Sequence, residues 1–194
     1  MPKRPFSPPT PEHLAKAALQ YLGRYAASEV SLRRVLEKRI RRAALQNRDF
    51  ADDKAAQESL RRSIEILIER HRKSGALNDK TYAETKINSL RRAGRSARAI
   101  RQKLGHAGVD KGVIDAVFAE GETGAEIKAA LSLARRKKLG PFRSAPKDPG
   151  LYRKDLAALA RAGFSLAIAK QVLGGQGLLD EDGAAEASGF FSAK

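Results

Sequence analysis

The side chains with the strongest chemical bias in this sequence are guanidinium and ammonium groups. Lys and Arg number 38 against 22 Asp and Glu, a net charge of +16. The excess is clustered. Residues 86–109 contain no acid and hold Lys86, Arg91, Arg92, Arg95, Arg98, Arg101 and Lys103. Residues 127–147 are also acid-free, with Lys128, Arg135, Arg136, Lys137, Lys138, Arg143 and Lys147. Arg33, Arg34, Lys38, Arg39, Arg41 and Arg42 form a third cluster around one acid, Glu37. A guanidinium offers a planar fork of donors that fits phosphate or carboxylate in two-pronged contact, and an ammonium adds a point charge. The chemistry is therefore recognition of a polyanion or an acidic protein surface. Any one cluster alone is an ordinary solvated face. Together they form a binding surface, with Arg91, Arg95, Arg98, Arg101, Lys103, Arg135, Arg136, Lys137, Lys138, Arg33 and Arg34 as candidate contacts.

Groups that break or make bonds are poorly placed. His13, His71 and His106 lie in separate segments, without HExxH or another metal-ligand spacing. Asp52 and Asp53 beside Lys54 raise the thought of a metal-dependent nuclease. They sit in a polar stretch with no strand pattern to hold two carboxylates together. Asp79 is better placed to cap a helix. The glycines of Gly174-Gly-x-Gly177 follow a helix pattern instead of opening one, so they do not make a phosphate loop. With no cysteine, disulfides, thiolate chemistry and Cys-ligated metals are excluded. No catalytic residue, metal ligand or cofactor site is expected.

The elements that must carry the cations are helical. Ala, Leu, Arg, Lys, Glu and Gln fill most positions, and they cost least in a helix. Pro2, Pro5, Pro8, Pro9 and Pro11 mark a non-helical tail, with helix expected from about Glu12. Ser28 reads as the N-cap of a helix with Leu32, Val35 and Leu36 inside, and residues 39–54 as a frayed helix end plus loop. Leu60, Ile64, Leu67 and Ile68 predict a helix over about 55–73, ended by Gly75. Asn78 and Asp79 offer a cap for its successor. Gly94 breaks that helix, and Ser96 caps the next, which buries Ile100 and Leu104 and points Arg98 and Arg101 outward. Further helices are expected from Asp110, with Val113, Ile114, Val117 and Phe118 inside, and from Ile127 to Leu139. Gly140-Pro141 stops the latter.

These helices repeat. The classes at Leu19, Leu22, Arg24, Ser28, Leu32, Arg33 and Leu36 recur at Ile87, Leu90, Arg92, Ser96, Ile100, Arg101 and Leu104. They recur again at Leu156, Leu159, Arg161, Ser165, Ala169, Lys170 and Leu173. The anchor serines stand 68 and 69 residues apart. Such self-similarity marks stacked helical units, each too small to bury its own apolar stripe. The expected fold is all-α, an elongated array of three tandem three-helix-like repeats. The divisions expected are a Pro-rich tail (1–11), repeat 1 (12–76), repeat 2 (77–121), a basic helix and Pro-rich linker (122–149), a truncated repeat 3 (150–177) and a C-terminal tail (178–194). The recurring Arg24, Arg92 and Arg161 suit packing across helix junctions or partner binding equally well. No run approaches the roughly 20 apolar residues that span a bilayer, and the N-terminus does not read as a secretory signal. A cytoplasmic monomer is expected.

In composition and landmarks the three copies resemble the RecX family, bacterial regulatory proteins of the recombinase RecA. The residues concerned are 17–22 and 28–36, then Gly75-Ala-Leu-Asn-Asp79 with Tyr82-Ala83, then 90–96 and 100–108. Residues 133–142 (Leu-Ala-Arg-Arg-Lys-Lys-Leu-Gly-Pro-Phe) and 159–165 (Leu-Ala-Arg-Ala-Gly-Phe-Ser) complete the set. Ser31, where the family usually has an acid, the long basic link 41–54 and the Gly-rich end of repeat 3 depart from the pattern. The resemblance implies a small non-enzymatic modulator, part of the control of DNA repair and the SOS response. Similar proteins lie in the groove of the RecA–DNA filament and limit its growth. They suppress strand exchange, ATP hydrolysis and co-protease function, and some bind DNA weakly.

The competing reading is a helical-repeat protein whose main ligand is DNA or RNA itself. Single-strand binders interleave aromatics with cations, and the clusters at 86–103 and 128–138 have none. A hydrolase or nuclease would require another carboxylate beside Asp52 and Asp53.

Overall fold

The computed structural model describes residues 8–121, 124–144 and 149–174, and all regular structure among them is helical. In chain order the helices are α1 (Pro11–Leu22), α2 (Glu29–Gln46), α3 (Arg48–Asp52), α4 (Lys54–Lys73) and α5 (Asp79–Arg92). They continue with α6 (Ala97–His106), α7 (Lys111–Ala119), α8 (Ala125–Lys137), α9 (Pro149–Arg161) and α10 (Leu166–Leu173). A 3-10 turn at Gly140–Phe142 follows α8. The all-α reading of the sequence holds. The tail expected over 178–194 lies outside the described residues.

Capping chemistry sets the helix starts. Thr10 opens α1 with a capping box: its hydroxyl accepts from the His13 amide at 3.3 Å, and its own amide donates to His13 Nδ1 at 3.4 Å. His13 thus has a local structural partner. The repeat serines cap α2, α6 and α10, accepting from the amides of Ser31, Ala99 and Ile168 at 3.1, 3.2 and 3.3 Å. Two of them do more. Ser28 donates to the Ala107 carbonyl and Ser96 to the Ala162 carbonyl at 2.7 Å, and both serines are fully buried. Each hydroxyl therefore ties a helix start to a turn far along the chain, which explains why serine sits at the anchor of the repeat.

Residues 39–54 differ from the expected frayed end and loop. α2 runs unbroken to Gln46 because Ile40 and Ala43 continue its buried stripe. Asn47 then ends it and caps α3, its Oδ1 accepting from the Phe50 amide at 2.9 Å. Phe50 is buried, and the buried Gln57 amide donates to the Phe50 and Ala51 carbonyls at 2.8 and 3.0 Å. Asp53 caps α4 through the Ala56 amide at 2.8 Å. Dense charge on the outer face masks this pattern in the sequence.

The chain divides into two compact units, Met1–Ala83 with Gly105–Ile114, and Glu84–Leu104 with Asp115–Lys194. In the first, α2 packs along α4, α1 lies against both, and α3 bridges α2 and α4. Leu14, Leu32, Leu36, Ile40 and Ile64 form its centre. In the second, α8, α9 and α10 share a core of Ala130, Leu133, Ala134, Leu159, Phe164, Ala169 and Val172. The third copy, which the sequence leaves with two helices, thus packs on a third helix from upstream. Ile100 and Leu104 are buried as their spacing predicts.

Gly94 fixes the α5–α6 turn onto α8. Its φ is +68°, and a Cβ there would lie 2.8 Å from the Leu133 backbone nitrogen.

Candidate functional site

The basic residues separate into two sets once the fold brings distant carboxylates and carbonyls to them. Arg33 makes a two-pronged contact with Glu65, both distances 2.8 Å, and this holds the Glu65 carboxyl below its ordinary value. Arg34 donates to the His106 carbonyl. Half-buried Arg91 pairs with Glu126 and lies 5.5 Å from the centre of the Phe118 ring. Arg101, exposed as expected, lies 4.0 Å from the same ring and 3.3 Å from Asp115. Arg136 donates to the Ala93 carbonyl at 2.9 Å. These five side chains brace the protein internally.

The second set stays free. Among the described residues, the side chains of Arg95, Arg98, Lys103, Lys137 and Lys138 are exposed and have no ion pair or hydrogen bond. Arg95 lies in the turn before α6, Arg98 projects away from the Ile100–Leu104 stripe of α6, and Lys103 lies on its flank. Lys137 ends α8, and Lys138 is its C-cap. Exposed Arg135, one turn back, lies 5.3 Å from the Phe142 ring and keeps its charge open to solvent. All six belong to the second unit. Arg24, Arg92 and Arg161, the recurring arginines, are also exposed.

Two carboxylates do work that the sequence reading did not foresee. Asp79 Oδ1 accepts from the Glu29 amide of α2 at 3.1 Å, while Asn78 caps α5 through the Thr81 amide. Glu126 accepts from the Ala97 amide of α6 at 3.0 Å. Glu29 and Ala97 stand one residue after the repeat serines, so the same orphan amide is satisfied from a distance in both copies. The signal available in the sequence was that shared position, with no local side chain to serve it.

Burial raises the Asp79 carboxyl above its ordinary value, opposed by the Glu29 amide. The folded protein therefore holds this proton more tightly than the unfolded chain does. The stability it adds is complete below the ordinary aspartate value and is lost as pH rises through the raised one. Asp79→Asn keeps the acceptor and removes the buried charge. It is expected to raise the melting temperature at pH 7, with the gain vanishing in acid. Melting curves across pH check this.

Among the described residues no group of three or more His, Asp or Glu could hold a metal ion. Asp53 is occupied as a helix cap and His71 is buried. No described helix is long and apolar enough to cross a membrane. The arrangement offers exposed cations on α6 and α8 and the turns beside them, suited to binding anionic surfaces.

Comparison with known proteins agrees with this architecture. Residues 78–117 match the model for the second three-helix domain of RecX. The chain is 43% identical to the Regulatory protein RecX of Myxococcus xanthus over 174 residues, covering 89% of each. It is 32% identical to that of Pseudomonas entomophila over 117 residues, 60% of this chain and 73% of the relative. The crystal structure of RecX from Lactobacillus salivarius superposes with a TM-score of 0.61 at 19% identity, covering 87% of this chain and 97% of the other, which establishes a shared fold. A match of this identity along nearly the whole of both sequences, on a fold of repeated helical modules, places the chain in the RecX family of regulatory proteins.

Proposed function

We propose that this protein binds a RecA–DNA filament through its free cationic face and restrains the recombinase. Filament growth, ATP hydrolysis, strand exchange and co-protease function are the activities it limits, and DNA repair and the SOS response are the processes it regulates. The observation that supports this reading most is the set Arg95, Arg98, Lys103, Arg135, Lys137 and Lys138, exposed on α6 and α8 and the turns beside them in one unit. Unpaired cations give up no internal contact when they meet an anionic surface. The family name supports a regulatory role, and a cytoplasmic protein acting without a cofactor suits it.

The test is sedimentation of the protein with filaments assembled on single-stranded DNA, against recombinase alone and DNA alone. Co-sedimentation is expected with filaments, weakening as salt rises. Direct binding to bare duplex is expected to be weak and insensitive to base sequence. It should fall by about 0.9 log units per log unit of salt for each phosphate neutralised. Salt-resistant binding to one defined DNA sequence would favour a direct nucleic-acid-binding protein instead.

A further inference from the structure

The first repeat carries an aromatic addition that the other two lack. Tyr21 and Tyr25 straddle the end of α1 with ring centroids 5.3 Å apart and planes tilted by 46°. Tyr25 is 58% exposed. At the equivalent positions the second copy has Ser89 and Ala93, and the third has Ala158 and Ala162. Tyr21 is half-buried against the first unit's core, so folding accounts for it, but packing does not account for the exposed Tyr25. The arginine between them behaves differently: Arg24, Arg92 and Arg161 occupy that position in all three copies, all exposed. Residues 13–28 contain no acid. The tyrosine pair thus sits in a stretch whose charged groups are cationic.

An exposed ring backed by a second ring and flanked by a guanidinium has the composition of a nucleobase platform. A base gains from stacking whatever its identity, and the adjacent cation takes the neighbouring phosphate. Tyr21 limits the freedom of Tyr25, so little ordering is required on binding. Bases inside a duplex have both faces covered, so the ligand must be single-stranded.

We propose that Tyr25, supported by Tyr21 and flanked by Arg24, is a stacking site for one base of single-stranded nucleic acid. The site belongs to the first unit, whereas the free cations of the proposed filament-binding face belong to the second. It requires no recombinase, so its test uses free oligonucleotides.

The experiment is fluorescence anisotropy of labelled oligothymidine with the full chain and with the Tyr25→Ala and Tyr25→Phe variants. An abasic strand and a duplex of the same length serve as controls. Alanine occupies this position in another copy, so Y25A should keep the parent's circular dichroism and melting temperature. Y25A is expected to weaken oligothymidine binding roughly 5- to 150-fold. Y25F should bind like the parent, since the ring and not the hydroxyl is used. Parent and Y25A should bind the abasic strand equally, and likewise the duplex. The proposal is overturned if Y25A binds oligothymidine as tightly as the parent, or if the parent shows no binding at low salt. Equal losses on the abasic strand would also overturn it, reducing the effect to charge placement. If Y25A leaves every oligonucleotide unchanged but weakens filament binding, the face is a protein contact and the stacking site is wrong.

Discussion

Replacing Arg95, Arg98 and Lys103 together with glutamate is expected to leave the fold intact and to weaken filament binding at least about 30-fold. That corresponds to about 2 kcal/mol, the level at which interface arginines count as hot spots. The fold should tolerate the change because none of the three side chains has an internal partner among the described residues. α6 has no acid in its first turn, so a glutamate at position 98 favours the helix dipole, offsetting the mild cost of one at position 103. Binding should not tolerate it, because each reversal replaces attraction with repulsion. Arg101 is left out of the set on purpose. Its contacts with Phe118 and Asp115 mean that reversing it would disturb the protein itself, and any loss of function would be ambiguous. Sedimentation with filaments, alongside circular dichroism of the triple variant, measures both halves of the expectation.

Gly94→Ala is expected to cost about 2–5 kcal/mol of folding stability. Roughly 1–2 kcal/mol comes from placing an L-residue at φ +68°. A further 1–3 kcal/mol comes from overpacking, because the new methyl would meet Leu133 backbone atoms at 2.8 and 3.1 Å and the Ala129 carbonyl at 3.1 Å. Backbone within a packed helix cannot yield as a flexible side chain can. Gly75→Ala is the matched control: its φ is +74°, with nothing within 4 Å of the new Cβ. It should show the conformational cost alone. Denaturant curves for the two variants separate the terms, and equal losses would mean that the α5–α6 turn does not press on α8.

The contrast between these two glycines shows what was legible in the sequence. Gly94 reads as a helix breaker from its place between two apolar stripes, and Ser96 reads as the cap that follows. Both are local signals, set by spacing and side-chain chemistry, and the structure agrees with them. The Leu133 backbone against Gly94 is not local. Nothing in residues 90–100 announces a helix arriving from residue 125 onward. The same limit governs the basic clusters. The acid-free stretch 86–109 looks like an unbroken cationic face, yet Glu126 and Asp115 reach Arg91 and Arg101 from α8 and α7. Arg33 is likewise matched by Glu65, 32 residues away. Charge density along a chain identifies where cations are, while folding decides which remain free. The missed continuation of α2 through residues 39–46 has a different cause. Of those eight residues, four are Arg or Gln and the apolar Leu45 is exposed, so the two buried positions, Ile40 and Ala43, make a weak stripe.

The most direct test of the account is to titrate the purified protein into preformed RecA–DNA filaments at physiological salt while following ATP hydrolysis. Hydrolysis should fall in a saturable manner with the parent protein. The Arg95, Arg98 and Lys103 triple reversal should need at least about 30 times more protein for the same effect. Undiminished hydrolysis at saturating parent protein, or equal inhibition by the triple reversal, would contradict it.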